Sequence, residues 1–560
     1  MASDFQDTFL DELLRLDAYL ADIGGSGEDV PSAADPEVRR LLEAVAFFSA
    51  RTQQMAYRGM LDAVSALAGE HCDFLRHPLG ACGLVRAVDA GGWSSAVALP
   101  QGTPLLVESG DGAAAQLATS VSAVLAPVRV FAARLEVSDD ARWLVLGVAA
   151  PVRLAQLGWL CLHVDLLGDL ARSIGLHRRL RAACRSARYL GGGLGISAAS
   201  DPGSSSAFRA RPRLEVRFGA RAGALGDHEP PALEAVRRHL QLPQRDLFIN
   251  IELPAEARDT QAWLALELAP ACDELSFTAQ TFQPNVLPVE NAIRAPADPL
   301  VDDGRAPWQQ LVPPGDLVAP RYANAGAPFE LCQIERVCEL EGDQETTLFA
   351  TALGEPGRSY RLERRVTRGR ERPHLSLAVP GSPTRPRRVR VDAVWTQPGL
   401  DLSTLGRTRV RPWRLGLPDV GWKLLEGTSP FLPSPLEGAP ARLMELLAWT
   451  TRQTPTRDEL VRLLLLMSAG VSIWGKLVGT IESVSWRELP DDRGSEGATD
   501  GARLEVAIEC RAPEEELEPV LDDLMGQIEL LLNAWCSVPV CVRARWGARR
   551  APLRLVGAGP

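Results

Sequence analysis

The chain has 560 residues, 46 % of them hydrophobic, and its 60 Lys and Arg against 71 Asp and Glu leave a net charge of −11. That length predicts three or four domains of about 150 residues each, with substantial cores, and the acidic balance argues against nucleic acid as the main partner. The opening MASDFQDTFLDELL lacks the charged-then-apolar pattern of a leader, and the longest uncharged apolar run near the C-terminus, Leu463 to Gly475, is too short to span a bilayer; a cytoplasmic protein without direct membrane insertion is expected.

Two helices open the chain. In the first, Phe5, Phe9, Leu13, Leu16, Leu20 and Ile23 recur at spacings of four and three, forming one apolar stripe. After the break GGSGEDVPSA, Asp35 is placed to cap a second helix with Pro36 at its first position. Its Val38, Leu41, Leu42, Val45, Phe48 and Met55 are expected to face inward, and the helix to run to about Leu67. The pattern allows a buried core or packing against another chain. We take Phe5, Phe9, Leu13, Leu16, Leu20, Leu41, Leu42, Val45 and Phe48 as candidate partner-interface residues.

From about Leu84 strands and turns take over. AVALPQGTPLLVES alternates around a proline-glycine turn, and LATSVSAVLAPVRVFAARLEV and ARWLVLGVAAPV continue the pattern. LLGDLARSIGLHRRLRAACRSA reads as a helix, Ser197 to Ser206 as a loop, PPALEAVRRHLQLP as a short helix and DLFINIEL as a strand. Gln283 to Pro320 reads as proline-rich connection, and Glu330 to Val394 as further strands.

The last region mixes types. Helices at roughly Ala441 to Arg452 and Arg457 to Ser468 precede a strand LVGTIESVSWREL, a polar turn PDDRGSEGATDG and a strand ARLEVAIEC. In EEELEPVLDDLMGQIELLLNAW, Leu517, Leu521, Leu524, Ile528, Leu531 and Trp535 share a helical face, with Pro519 in the first turn, where proline is tolerated. VPVCVRARW closes as a strand, and if it lies at an edge, Val538 and Val540 are candidates for contact between two copies. The class is α+β and multidomain. An N-terminal helical hairpin (1–80) precedes β-rich domains (81–300 and 301–430) and a C-terminal α+β module (431–560).

A search for chemistry returns near misses. Gly470, Gly475 and Lys476 fit a phosphate-loop spacing, but Leu477 stands where a hydroxyl must hold magnesium, and Ile473 and Trp474 are too bulky for a backbone cradle. The structural reading, with Gly470 ending a helix, is preferred. YLGGGLGIS, at Tyr189 to Ser197, carries Ile196 where a dinucleotide fingerprint needs glycine, and no β-branched strand precedes it. His71, Cys72, His77 and Cys82 are too poorly phased for a closed zinc site and read as helix-end residues. The arginine-rich run Arg358 to Arg390 lacks the interleaved aromatics of a base-stacking surface. Ten cysteines without a C-x-x-C pair are expected as free, mostly buried thiols. No catalytic residue, cofactor or metal is assigned.

The order of motifs resembles the TssF family, also called VasA or ImpG, of the type VI secretion system. DPEVRRLLEAVAFFSARTQ (Asp35 to Gln53) is similar to that family's DPxVERLLEAFAFLxARxx, and LPQGTPL (Leu99 to Leu105) to its iPRGTxL turn. LATSVSAVLAPVRVFAARL, HLQLPQRDLFINIEL, LPVENAI (Leu287 to Ile293) and FELCQIERV (Phe329 to Val337) resemble further family segments in the family's order. The family's LYPHYL is here LAGEHCDFL, and its CTNRDLP is here WTQPGLDL, so the chain resembles a divergent member. The resemblance implies a baseplate wedge subunit without active site or cofactor. It implies as partners a TssG-like subunit, a second copy of the chain, a TssK-like adaptor, and the sheath and VgrG spike region. Assembly is implied at the cytoplasmic face of the inner membrane. A wedge protein of another phage-tail-like injection machine is the alternative, and a nucleotide-binding enzyme using Gly470 to Lys476 the third reading.

Overall fold

The computed structural model describes residues 2–24, 35–110, 114–137, 141–192, 208–219, 231–269, 275–306, 308–315, 317, 329–341, 344–350, 358–367, 370–378, 386–405, 408–413, 420–436, 440–450, 454–468, 471–489 and 503–547. The break after the first helix, the loop Ser197 to Ser206, the turn PDDRGSEGATDG and Gly470 lie outside these residues. In chain order the principal helices are α1 (Ala2–Gly24), α2 (Pro36–His71), α3 (Leu170–Ala183), α4 (Ala232–Gln241), α5 (Pro440–Thr450), α6 (Arg457–Ser468), α7 (Ser472–Val478) and α8 (Glu518–Trp535). The chain divides into two compact units, one holding α1, α2 and α5, the other the β-rich body and the C-terminal module.

The first unit is helical. The Glu37 N–H donates to Asp35 Oδ1 at 2.9 Å, and Pro36 follows as the first helical residue, so α2 starts where its sequence signals place it. α1 and α2 pair as a hairpin, and α5, which the sequence groups with the C-terminal domain, packs on α2 instead.

In the second unit a six-stranded sheet carries the first β core. Its order is Thr408–Pro412, Pro104–Ser109, Ala114–Thr119, Val286–Glu290, Cys82–Asp89 and Val420–Leu424. The Gln101–Gly102 turn has its glycine at φ 81°, and Thr103 N–H donates to Thr119 Oγ1 at 3.0 Å. A five-stranded and a four-stranded sheet face each other across a core of Leu144, Leu146, Leu162, Ile249, Leu264 and Phe282. A larger sheet follows, built on Glu330–Glu341 and Arg387–Thr396. Asn291, wholly buried, is the node between the first and last of these sheets. Its amide donates to Gln116 O at 2.6 Å and to Gln397 Oε1 at 3.0 Å, while its Oδ1 accepts from Thr396 Oγ1 at 2.9 Å. The motif segments LPVENAI and WTQPGLDL therefore meet in one polar knot, which a buried amide needs.

Three expectations change. The helix read through Ala187 ends at Ala183, and Cys184–Gly191 is a strand paired with Gln261–Leu268, so a strand does precede the glycine run at Tyr189. The proline-rich stretch from Gln283 holds strands Phe282–Pro284, Val286–Glu290, Ile293–Pro296 and Leu300–Asp302. Pro288 is tolerated because Ser120, which lies opposite it and donates its N–H to Pro288 O at 2.9 Å, has its own carbonyl satisfied by Gln101 Nε2 at 2.9 Å instead of by an N–H at 288. The strand expected from Leu477 starts at Ile481, after helix α7.

The C-terminal module has Ile481–Leu489 antiparallel to Arg503–Cys510, which runs parallel to the closing strand Val540–Trp546. α8 lies between the two parallel strands in sequence and buries Leu521, Leu524, Ile528 and Leu531, the face its periodicity predicts.

Candidate protein-protein interface

What fills the seam of the α1–α2 hairpin is small and polar. Ala46 and Ala50 are 0 % exposed. Beside them Arg39 Nη1 donates to Asp17 Oδ2 at 2.8 Å, and Ser49 Oγ and Gln53 Nε2 each donate to the Glu12 carboxylate at 2.9 Å. The bonds from Gln53 and Ser49 hold the Glu12 carboxyl below its ordinary range. Positions 39, 42, 46, 49, 50 and 53 share one helical face, and alanine at its centre lets the helix axes approach closely.

That seam turns the large apolar side chains of α2 outward. Leu41 is 67 % exposed and Phe48 64 %, and Val45 and Met55 are exposed with them. The spacing 41, 45, 48, 55 is that of a helix-packing seam. The inward placement expected for these four is corrected: the alanines and the Asp17–Arg39 pair occupy the inward face. Leu13 is buried, and Phe5, Phe9, Leu16, Leu20 and Leu42 are half-buried. Phe5 meets Phe47 edge-on at 5.5 Å. Sequence reasoning missed Leu10, Leu14 and Tyr19 on α1 and Phe47, Tyr57 and Met60 on α2, all exposed. Scattered exposed apolar residues are ordinary, but a row of them along one hairpin marks a surface for packing.

The second candidate site resolves differently. Val540 is 4 % exposed, and Val540, Val542, Ala544 and Trp546 form the buried face of the closing strand. Strand alternation gives this face to the module's own core beneath α8. The Val540 side chain is thus a core group rather than a contact between copies, and Val538 is half-buried.

The near-miss chemistry motifs become ordinary structure. Trp474 is wholly buried and its indole N–H donates to Leu240 O at 2.6 Å. The backbone N–H groups of Trp474 and Gly475 donate to Val471 O within α7, so they do not point at a phosphate. Leu477 is buried and Lys476 exposed. Among the described residues no three His, Cys, Asp or Glu side chains gather as metal ligands, and Cys72 and Cys82 are buried free thiols. A cavity of about 240 Å³ beside α7 is lined by Leu170, Leu242, Gln244, Ser429 and Ile473 among others, none of them ionisable. No described helix is long and apolar enough to cross a membrane.

The strongest electrostatic feature is a buried clamp in the second unit. His239 Nδ1 lies 2.6 Å from Asp246 Oδ2 and its Nε2 2.7 Å from Asp523 Oδ2. Burial alone would push the imidazole down, but the charge of Asp523 and the two carboxylate bonds overcome it and raise it to about 10. Arg178 Nε donates to Asp522 Oδ2 at 2.7 Å alongside. Perturbed groups in a cleft would suggest catalysis. Here His239 and Asp523 are buried while Asp246, Arg178 and Asp522 are only partly so, and the bonds tie α4 and α3 to α8.

A multidomain α+β scaffold whose prominent surface is an unpartnered apolar helix face, rather than a cleft of reactive groups, has the form of an assembly subunit. The family described as type VI secretion system, TssF, matches residues 26–391, and the chain belongs to that family. A solved type VI secretion TssK-TssF-TssG baseplate subcomplex contains a similar chain at 15 % identity and a TM-score of 0.66, over 91 % of this chain and 96 % of that one. A second structure, of the baseplate complex from the type VI secretion system, is similar at 14 % identity and a TM-score of 0.55, over 96 % of both chains. At these identities the likeness shows the fold. No curated protein sequence matches.

Proposed function

We propose that this chain is a baseplate wedge subunit of a type VI secretion machine, and that the outward stripe Leu41–Val45–Phe48–Met55 receives helices of a TssG-like subunit. The carrying observation is that the hairpin satisfies its own seam with alanine and ion pairs while leaving its bulkiest side chains in water. Membership of the TssF family and the likeness to chains in solved baseplate complexes support the reading. The role is architectural rather than catalytic. A TssK-like adaptor and a second copy of the chain join the wedge, which surrounds the VgrG spike region and carries the sheath at the cytoplasmic face of the inner membrane.

Co-expression with a TssG-like subunit tests this. Leu41→Glu with Phe48→Glu should abolish co-purification while the chain stays folded. Undiminished co-purification of the folded variant would move the interface elsewhere.

A further inference from the structure

Among the described residues the closing strand Val540–Trp546 is the outer strand of its sheet, with a neighbour on one side only. Leu504 N–H donates to Pro539 O at 3.0 Å. In a parallel ladder this register turns the backbone groups of Val540, Val542, Ala544 and Trp546 away from the sheet. Such a row is a template for a strand from another molecule.

α8 intercepts it. Asn533 Nδ2 donates to Val540 O at 2.8 Å, and Val540 N–H donates to Asn533 Oδ1 at 2.9 Å. One carboxamide thus meets both groups of Val540, as the N–H and C=O of one residue on an antiparallel neighbour would. One turn earlier on the same helix face, Glu529 Oε1 accepts from Val542 N–H at 3.4 Å. Asn533 Nδ2 also donates to Glu529 O at 2.8 Å, which sets which end of the amide faces which group.

We propose that Asn533 and Glu529 are edge-blocking residues: they occupy the first outward positions of the closing strand and keep the C-terminal sheet from pairing with a strand of a second copy. Among the described residues they leave open the carbonyl of Val542 and the groups of Ala544 and Trp546, a short remnant at the strand's far end. The hazard they answer is general. Copies of one chain held close together present identical edges to each other at high local concentration.

The test uses the full chain and the double variant Asn533→Ala with Glu529→Ala. Two synthetic probes are added: a peptide of the sequence Val540–Trp546, and the same peptide N-methylated at every residue so that neither of its edges can donate to a ladder. The wild-type chain should bind neither. The double variant should bind the unmethylated peptide at least tenfold more tightly than the methylated one, and should self-associate with concentration while keeping its helical circular dichroism. A folded double variant with a lower melting temperature, unchanged mass and no peptide binding would overturn the proposal and leave the pair as a local staple between α8 and the strand. Should the double variant not fold, amide exchange of the wild type decides. Val540 and Val542 should be protected to the level of Cys541 and Arg543, and free exchange at the two valines would overturn the proposal.

Discussion

His239 and Asp523 meet at 2.7 Å, Nε2 to Oδ2, across 284 residues of sequence, and both are buried. With Asp246 on the other ring nitrogen, one imidazolium lies between two carboxylates. The pair fastens α8 of the C-terminal module to α4 of the β-rich body. Removing one member of a buried pair leaves the other uncompensated, which typically costs about 3–5 kcal/mol. His239→Gln should therefore lower the denaturant midpoint of the transition that unfolds the C-terminal module, by that order. Arg178 Nη1 also lies 3.4 Å from Asp523 Oδ1, and a change below about 1 kcal/mol would mean that Arg178 alone compensates Asp523.

The same cluster sets a pH signature. His239 is raised from 6.5 to about 10, so its contribution is complete below pH 6.5 and is lost as pH rises toward 10. His163 and His177 behave oppositely: burial lowers each to about 4, so their contribution is complete above pH 6.5 and is lost as pH falls toward 4. Stability should peak near pH 6.5. In His239→Gln the alkaline decline should flatten while the acid decline stays. Parallel melting curves from pH 4 to 10 give both limbs, and an unchanged alkaline limb would remove His239 from the account.

On the helical hairpin, exposed and buried positions should separate cleanly. Leu41→Glu and Phe48→Glu alter exposed side chains and should change the stability of the isolated chain by less than about 0.5 kcal/mol. Ala46→Leu forces extra volume into a closed seam and should cost about 1–3 kcal/mol. Melting temperatures of the three variants beside wild type measure this. A large loss in Leu41→Glu would mean that α2 uses its outward face within the chain.

Periodicity made α1, α2, α6 and α8 legible from sequence, because each buries a stripe that local spacing reveals. It did not reveal which stripe of α2 goes in. Size suggested Leu41 and Phe48, whereas Ala46, Ala50 and the Asp17–Arg39 pair won the seam through close approach and charge. No helix is expected at α7 from sequence, which reads as a loop to Lys476 and strand from Leu477, and the indole bond from Trp474 to Leu240 O that anchors this short helix spans 234 residues. Prolines hide the strands after Gln283, since only the fold shows that the carbonyl facing Pro288, that of Ser120, takes its hydrogen bond from Gln101. The His239 cluster and the Asn533 bonds join groups that no local pattern brings together.

Within α7, the phosphate-loop resemblance should be silent in solution. Calorimetry with ATP and magnesium should give no saturable heat, and Lys476→Ala should leave stability unchanged, its side chain being exposed. Trp474→Phe removes the buried indole N–H bond to Leu240 O and should cost about 1–3 kcal/mol. Micromolar nucleotide binding lost in Lys476→Ala would reverse this reading.

Leu167 offers a gain. It is 90 % exposed and sits at φ 55°, where a leucine Cβ crowds its own carbonyl at a cost of roughly 1–2 kcal/mol. The loop gives it no other choice. Leu166 N–H donates to Ser173 Oγ at 2.8 Å, Gly168 N–H to Asp165 Oδ1 at 2.9 Å, and Asp169 N–H to Leu166 O at 3.1 Å. Gln283 Nε2 donates to Asp165 Oδ2 at 2.9 Å, and Asp169 caps α3 through the Arg172 N–H at 3.0 Å. Those bonds fix both flanks, so the strain falls on the residue between them. Asparagine accepts this conformation more readily, and at such exposure the leucine side chain contributes little packing to lose. Leu167→Asn should stabilise the chain by about 1 kcal/mol, and Leu167→Val, β-branched at the same φ, should destabilise it. Thermal melts of the pair read opposite signs against wild type. Equal melting temperatures in both would show that the loop relaxes its hydrogen bonds rather than holding Leu167 in the left-handed region.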